Sequence, residues 1–318
     1  MLALSLFGGL VMLAVGGDIL VRGAVAVARR IGVSPLVIGL TLVGFGTSMP
    51  ELVTSINAAL AGSDGVAIGN VVGSNIANIL LILGVAAIIA PIACNPVAFR
   101  RDGWVLALSA ALAAAVMMVG SVGRVAGIAL VASIAVYTGY TYLSERRSQM
   151  AAKQVHEQEA AIVAAPAWPL WIWLGITGIG IALTILGARL LVDAAIELAR
   201  QAGVSESVIG LTLVAVGTSL PELATSVTAA IRRQGDVAFG NVVGSNIFNV
   251  LGILGVAALV EPLAVPRDII AFDLWVMLAV TGLAIVMAIT GWRITRREGG
   301  VLLAGYGGYL AVLAAGAA

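Results

Sequence analysis

Charge is what this sequence has least of: 10% of its 318 residues are Asp, Glu, Lys or Arg, against about a quarter in soluble domains. The single cysteine, Cys94, excludes an internal disulfide and any multi-thiolate metal site. The single histidine, His156, lies in a polar stretch, so His general bases and His-ligated zinc are disfavoured. A net charge of +1 gives no reason to expect nucleic acid as a partner. No GxGxxG or Walker pattern follows a strand signal, so nucleotide binding has no support and no cofactor is expected. The first apolar stretch lacks a basic leader, which argues against a cleaved signal peptide. What is abundant is apolar surface: 61% of residues are hydrophobic and the mean hydropathy is +1.10. Apolar stretches approaching the roughly 20 residues that span a bilayer recur along the chain. These features predict an all-α polytopic membrane protein whose surroundings are the lipid bilayer.

Hydropathy and turn signals predict about ten transmembrane helices, near 3–27, 34–61, 66–91, 103–120, 124–143, 168–192, 205–231, 237–260, 269–290 and 299–317. Between the fifth and sixth, "SERRSQMAAKQVHEQEAA" is the one charged, lipid-incompatible run. The expected organisation is thus a five-helix half over 1–143, a linker over 144–167 and a second five-helix half over 168–318. The halves are copies. A shift of 171 residues superimposes Ile38–Gly84 on Ile209–Gly255 without a gap, and 31 of those 47 positions are identical. Five spans is an odd number, so the second copy must enter the membrane from the opposite side, giving the inverted-topology repeat of secondary transporters. Arg and Lys placement tests this count. With an external amino terminus, twelve fall in cytoplasmic segments (Arg29, Arg30, Arg100, Arg101, Arg146, Arg147, Lys153, Arg232, Arg233, Arg293, Arg296, Arg297) and three outside (Arg124, Arg200, Arg267). The positive-inside rule therefore puts both termini outside and the linker in the cytoplasm, with the cell (inner) membrane as the expected location.

The most informative residues are those that membrane helices avoid. "GTSMPELVTS" at Gly46–Ser55 returns as "GTSLPELATS" at Gly217–Ser226. A proline inside a helix removes one hydrogen bond and clashes with the carbonyl four residues back, so Pro50 and Pro221 predict breaks near Gly46 and Gly217. Exposed backbone at membrane depth is tolerated only against protein or a water-filled cavity, and transporters use such broken helices to present oxygens to cations near the midplane. Hydroxyls stand beside each break, Thr47 and Ser48 or Thr218 and Ser219, followed by Glu51 or Glu222. An intramembrane glutamate costs at least about 2.5–3.5 kcal/mol, which makes a purely structural role for two of them hard to sustain. Further oxygens come from "GNVVGSNIAN" and "GNVVGSNIFN". Asn70, Ser74 and Asn78 lie at i, i+4, i+8 on one helix face, as do Asn241, Ser245 and Asn249, and the Gly69/Gly73 and Gly240/Gly244 pairs predict close helix approach. Carboxylates, amides and hydroxyls without thiolate or imidazole select hard cations, of which Ca²⁺ takes about 6–8 oxygens. Outside this set, Asp18 and Arg22 at i, i+4, and Arg189 and Asp193 with the signs reversed, read as boundary ion pairs or packing devices.

At these residues the chain resembles the sodium/calcium exchanger family of the cation/calcium antiporter superfamily. The resemblance rests on the paired G-T-S-x-P-E and G-N-x-x-G-S-N-I-x-N signatures and spans nearly the whole length. It implies transport of Ca²⁺ and Na⁺, with no obligatory protein partner evident. It implies Glu51 and Glu222 as principal carboxylate ligands, Thr47, Ser48, Ser74 and Asn78 on one side, and Thr218, Ser219, Ser245 and Asn249 on the other. It also implies sodium coordination by the backbone carbonyls of Gly44 and Ala215, and sliding of the first and sixth helices across the core. Proton-exchanging branches carry a G-N-x-x-E form that is absent here. Asn249 stands where potassium-dependent and several microbial members carry aspartate, which weakens any case for potassium co-transport. The resulting expectation is a Na⁺/Ca²⁺ antiporter working by alternating access. Its rivals are a Ca²⁺/H⁺ antiporter using the same two glutamates, an intramembrane carboxylate enzyme and a passive cation channel.

Overall fold

A computed structural model describes residues 2–155, 168–201 and 215–316. The chain is built almost wholly of helices: α1 (Leu2–Ile31), α2 (Pro35–Thr47), α3 (Met49–Leu60), α4 (Asp64–Ile89), α5 (Pro96–Met118) and α6 (Arg124–Val155) in the first half. The second half contains α7 (Leu170–Gln201), α8 (Ala215–Thr218), α9 (Leu220–Ile231), α10 (Gly235–Val260), α11 (Ile269–Ile289) and α12 (Arg296–Gly316). Among the described residues, eight helices are long and apolar enough to cross a membrane, and nine when α2 and α3 count as one bent span. The remaining expected span, 205–231, is represented by α8 and α9, its first part lying outside the described residues. Helix α6 continues beyond the expected end of its span at 143 as far as Val155. The continuation is rich in Glu, Arg, Gln, Lys and Ala, which are good helix formers.

Four two-residue strands fix the topology: β1 (Ile92–Ala93), β2 (Ser121–Val122), β3 (Leu263–Ala264) and β4 (Arg293–Ile294). Strand β1 pairs antiparallel with β4, Ile92 opposite Ile294, and β2 pairs with β3, Val122 opposite Leu263. By the 171-residue shift, β3 is the copy of β1. Yet β1 and β2 flank opposite ends of α5, and β3 joins β2 rather than β1. A strand and its sequence copy therefore sit at opposite ends of the molecule. This is the inversion that an odd number of spans requires. The same symmetry appears at the rims, where Arg124 donates to the carbonyls of Leu259 and Val260 and Arg296 donates to the carbonyl of Ile89.

Helices α4 and α10 occupy the centre, with much of the apolar core around Ile68, Ile76, Ile79, Ile247 and Ile253. Helices α1 and α7 pack along each other at the side, their crossing made possible by glycine: a Cβ on Gly180 would lie 2.5 Å from the Leu20 amide nitrogen. The second-repeat GxxxG pair packs as expected, since a Cβ on Gly240 would lie 2.5 Å from the Leu36 carbonyl oxygen of α2. The first-repeat pair behaves differently. Gly69 and Gly73 border a cavity of about 400 Å³, and the nearest described side-chain atom to a Cβ on Gly69 is Ile269 Cδ1 at 3.8 Å.

Candidate cation site

The two motifs generate the same local geometry. The chain bends by 44° between α2 and α3, at Ser48 (φ −83°, ψ 9°), and the corresponding Ser219 has φ −89°, ψ 6°. Pro50 and Pro221 each fall in the first turn of the following helix, where the missing N–H costs nothing. The break also sits mid-span: α2 and α3 contribute about 20 Å and 18 Å at the usual helical rise. Each glutamate consequently lies one turn into a helix that starts near the centre, and both Glu51 and Glu222 are 1% exposed.

Hydrogen bonds cross between the repeats. Ser48 Oγ donates to Glu222 Oε1 at 2.7 Å, and Ser219 Oγ donates to Glu51 Oε1 at 3.3 Å. The serine beside one break thus holds the carboxylate beside the other. Asparagines fix the glutamate-bearing helices from behind: Asn70 Nδ2 donates to the Glu51 carbonyl at 3.0 Å and to Ser55 Oγ at 2.9 Å. Asn241 Nδ2 makes the matching bonds to the Glu222 carbonyl at 3.2 Å and to Ser226 Oγ at 2.9 Å. Asn78 Nδ2 donates to Asn246 Oδ1 at 3.0 Å, while Asn249 Nδ2 donates to Asn75 Oδ1 at 3.2 Å. Both amides are thereby oriented by their donors. Asn78 and Asn249 each begin a π-helical turn, Asn78–Leu83 and Asn249–Leu254. Such turns concentrate at functional sites.

Most of the expected residues converge, and some play parts the sequence did not suggest. Thr47 is fully buried, with its hydroxyl 3.1 Å from the Val43 carbonyl and 3.2 Å from Asn241 Oδ1. Ser245 donates to the Gly44 carbonyl at 3.2 Å, and the Ser48 amide donates to that same oxygen at 3.2 Å. The Gly44 carbonyl is therefore engaged rather than freed, because Pro50 removes a bond to Gly46 and leaves the bond from Ser48 intact. Ser74 and Thr218 line the 400 Å³ cavity beside the centre. Ala215 is the first residue of α8. Sequence reasoning passed over Asn75, Asn246, Ser55 and Ser226 as participants. Their signal was present, since Asn75 precedes Asn78 by three residues and so shares its face.

What remains unbonded defines the chemistry. Glu51 Oε2, Glu222 Oε2, Asn78 Oδ1 and Asn249 Oδ1 are buried and have no hydrogen-bond partner, and beside them Asn246 Nδ2 is a buried donor without one. Leaving a buried acceptor unsatisfied costs about 1–3 kcal/mol, more when it is charged. Four acceptors, two of them carboxylate oxygens and two amide oxygens, form two symmetry-related pairs. Among the described residues no cluster of three or more His, Cys, Asp or Glu occurs, so any cation held here meets two carboxylates and otherwise neutral oxygens. Oxygen-only ligation suits hard cations.

An inverted helical repeat with paired carboxylates buried between its halves defines an integral membrane cation antiporter by class. The chain belongs to the sodium/calcium exchanger protein family, whose model matches residues 1–143 and 172–315. It is 37% identical to the sodium/calcium exchanger MaX1 of Methanosarcina acetivorans, covering 98% of this chain and 97% of that protein. It is 35% identical to the inner membrane protein YrbG of Escherichia coli, covering 93% and 91% respectively. The fold superimposes on the sodium-calcium exchanger NCX_Mj soaked with zero Na⁺ and Ca²⁺, with a TM-score of 0.84, 33% identity, and coverage of 98% of this chain and 100% of that one.

Proposed function

We propose that the protein exchanges Na⁺ for Ca²⁺ across the cell membrane by alternating access, with Glu51 and Glu222 as the charged ligands. The observation that carries this reading is the set of four buried, unpartnered oxygens on Glu51, Glu222, Asn78 and Asn249. Thr47, Ser48, Ser74, Thr218, Ser219 and Ser245 supply neutral oxygens around them, the Gly44 carbonyl joins when its bonds from Ser48 and Ser245 let go, and the Ala215 carbonyl is its counterpart in the second repeat. Two carboxylates carry −2, which one Ca²⁺ balances. Emptied, they are like charges in a low-dielectric setting, and moving them across the barrier uncompensated is unfavourable. Exchange is thereby obligatory, since reorientation requires bound cations. The serine-to-glutamate bonds between repeats tie the two halves of the site together, so loading is felt by both. The two halves are residues 1–143 and 168–318, joined by a linker over 144–167. In the proposed orientation both termini are external and the linker is cytoplasmic, a reading the distribution of arginines supports.

The test is ⁴⁵Ca²⁺ uptake into proteoliposomes with imposed gradients. Uptake that follows an outward Na⁺ gradient and ignores a pH gradient is the expected result. Uptake driven by a pH gradient in Na⁺-free buffer would replace Na⁺ with H⁺ as the coupling ion. No coupled uptake under either gradient would remove the antiport reading altogether.

A further inference from the structure

Away from the glutamates, a cavity of about 480 Å³ opens where α1, α7 and the end of α9 meet. Its lining joins three arginines to two tryptophans: Arg22 and Arg29 from α1, Arg232 just beyond α9, and Trp168 and Trp173 at the start of α7. The tryptophan rings pack against each other at a centroid separation of 5.2 Å, tilted by 32°. Asp18 is the acidic partner here. It bonds Arg22 Nε at 3.0 Å and also pairs with Arg232. One carboxylate against three guanidinium groups leaves an excess of two positive charges. Arg232 Nε is buried with no hydrogen-bond partner, and Arg29 is exposed.

The inverted repeat provides an internal control. Shifted by 171 residues, Arg22 becomes Asp193, Arg232 corresponds to Ala61 and Trp173 to Leu2, while Arg29 alone keeps a basic counterpart, Arg200. The combination of arginines and tryptophans is thus not repeated as a set, so repeat symmetry alone did not produce it. Tryptophans favour the headgroup level of a bilayer, where an apolar ring can meet lipid and the indole N–H can meet water. Arginines that open toward such a level match the planar, bidentate chemistry of a phosphodiester. Basic pockets between transmembrane helices on the cytoplasmic side hold anionic headgroups.

We propose that this cavity binds the headgroup of an anionic phospholipid, with Arg22, Arg29 and Arg232 on its phosphate and the Trp168–Trp173 pair against its glycerol and upper acyl region. Arg22 and Arg29 belong to α1, whereas Arg232 follows a helix that carries a site glutamate. A bound headgroup bridges these two bodies. It therefore favours the arrangement seen here and slows any sliding of α1 past α9.

Thermal unfolding of the full-length protein in neutral detergent, with native mass spectrometry of the same samples, tests the proposal independently of transport. Dioleoyl phosphatidylglycerol is expected to raise the midpoint and to stay bound, while phosphatidylcholine and inorganic phosphate do neither. Arg29→Gln, at an exposed position, is expected to weaken the apparent affinity roughly fivefold, the effect of one arginine near an anionic surface. Arg29→Gln with Arg232→Gln should abolish the preference, whereas Arg293→Gln with Arg297→Gln, an equal charge change elsewhere, should preserve it. Equal stabilisation by phosphatidylcholine would overturn the proposal, as would equal loss in the control variant. Competition by inorganic phosphate at matched concentration would assign the pocket to a soluble anion and contradict a lipid occupant.

Discussion

At the residue scale, Glu51 and Glu222 each use one carboxylate oxygen on a serine of the opposite repeat and leave the other buried without a partner. Glu51→Gln or Glu222→Gln keeps the shape and the bonded oxygen but removes half the charge facing Ca²⁺. In a site shielded from water that charge is worth more than a decade in affinity, so Ca²⁺ exchange in proteoliposomes should fall by more than about tenfold in either variant while the protein still elutes as a folded species. Asn78→Ala and Asn249→Ala each remove one neutral oxygen and should cost less. Wild-type exchange in both glutamine variants would dissociate the pair from transport. A separate residue reports on packing between the spans. Cys94 is 4% exposed, in the short connection between α4 and α5, and burial pushes its thiol up to about 12. At pH 8 only about one thiol in ten thousand is then ionised, against roughly a quarter for a free one. Maleimide labelling of the folded protein should therefore be slower by about three decades than after denaturation, and fast labelling of the folded form would contradict this burial. The glutamates were legible in the sequence because a charge in an apolar run is costly wherever it falls. The Asn75–Asn249 and Asn78–Asn246 bonds were not, because partners separated by 174 and 168 residues meet only once the inverted halves interlock.

At the scale of elements, the breaks at Ser48 and Ser219 follow from local chemistry and were readable from the prolines alone. The behaviour of the glycine pairs was only half readable. Gly240 and Gly244 press on the α2 backbone as their spacing suggests, but Gly69 and Gly73 border a cavity. Identical motifs in a repeat need not meet identical neighbours, and spacing records a face of a helix without recording what covers it. The difference between faces is measurable. Gly240→Ala places a methyl 2.5 Å from the Leu36 carbonyl oxygen and 3.0 Å from the α-carbon of Gly39. Overpacking of this kind costs about 1–3 kcal/mol, so thermal unfolding in detergent should shift down by several degrees. Gly282→Ala, at an exposed position of α11 with nothing described within 4 Å, should leave the midpoint unchanged. Equal effects in both variants would mean that the α2–α10 contact does not constrain the fold. The π-helical turns at Asn78 and Asn249 escaped sequence reasoning for a different reason. They keep helical dihedrals and apolar patterning, differing only in which carbonyl each amide reaches.

For the molecule as a whole, inversion was legible from a count of five expected spans in each half, with the arginine distribution as a check. The β1–β4 and β2–β3 pairings show it directly. The membrane boundaries were less legible, because α6 carries on to Val155 in good helix formers after its apolar span has ended. On the proposed reading, the two central carboxylates set the charge that one Ca²⁺ would neutralise, and the surrounding hydroxyl, amide and carbonyl oxygens would let more than two Na⁺ bind without adding negative charge. Exchange should accordingly be electrogenic. A potassium–valinomycin potential, negative on the side that Na⁺ enters, should accelerate Na⁺-driven Ca²⁺ extrusion, and indifference to potential would indicate electroneutral exchange. The most direct measurement, however, is the position of the ion. In crystals soaked with Sr²⁺ as a stand-in for Ca²⁺, anomalous scattering should place one divalent ion between the repeats, about 2.3–2.6 Å or slightly more from oxygens of both Glu51 and Glu222. Addition of Na⁺ should displace it. A strong peak bound by only one of these glutamates, or one elsewhere in the molecule with the space between them unfilled, would contradict a shared two-carboxylate site.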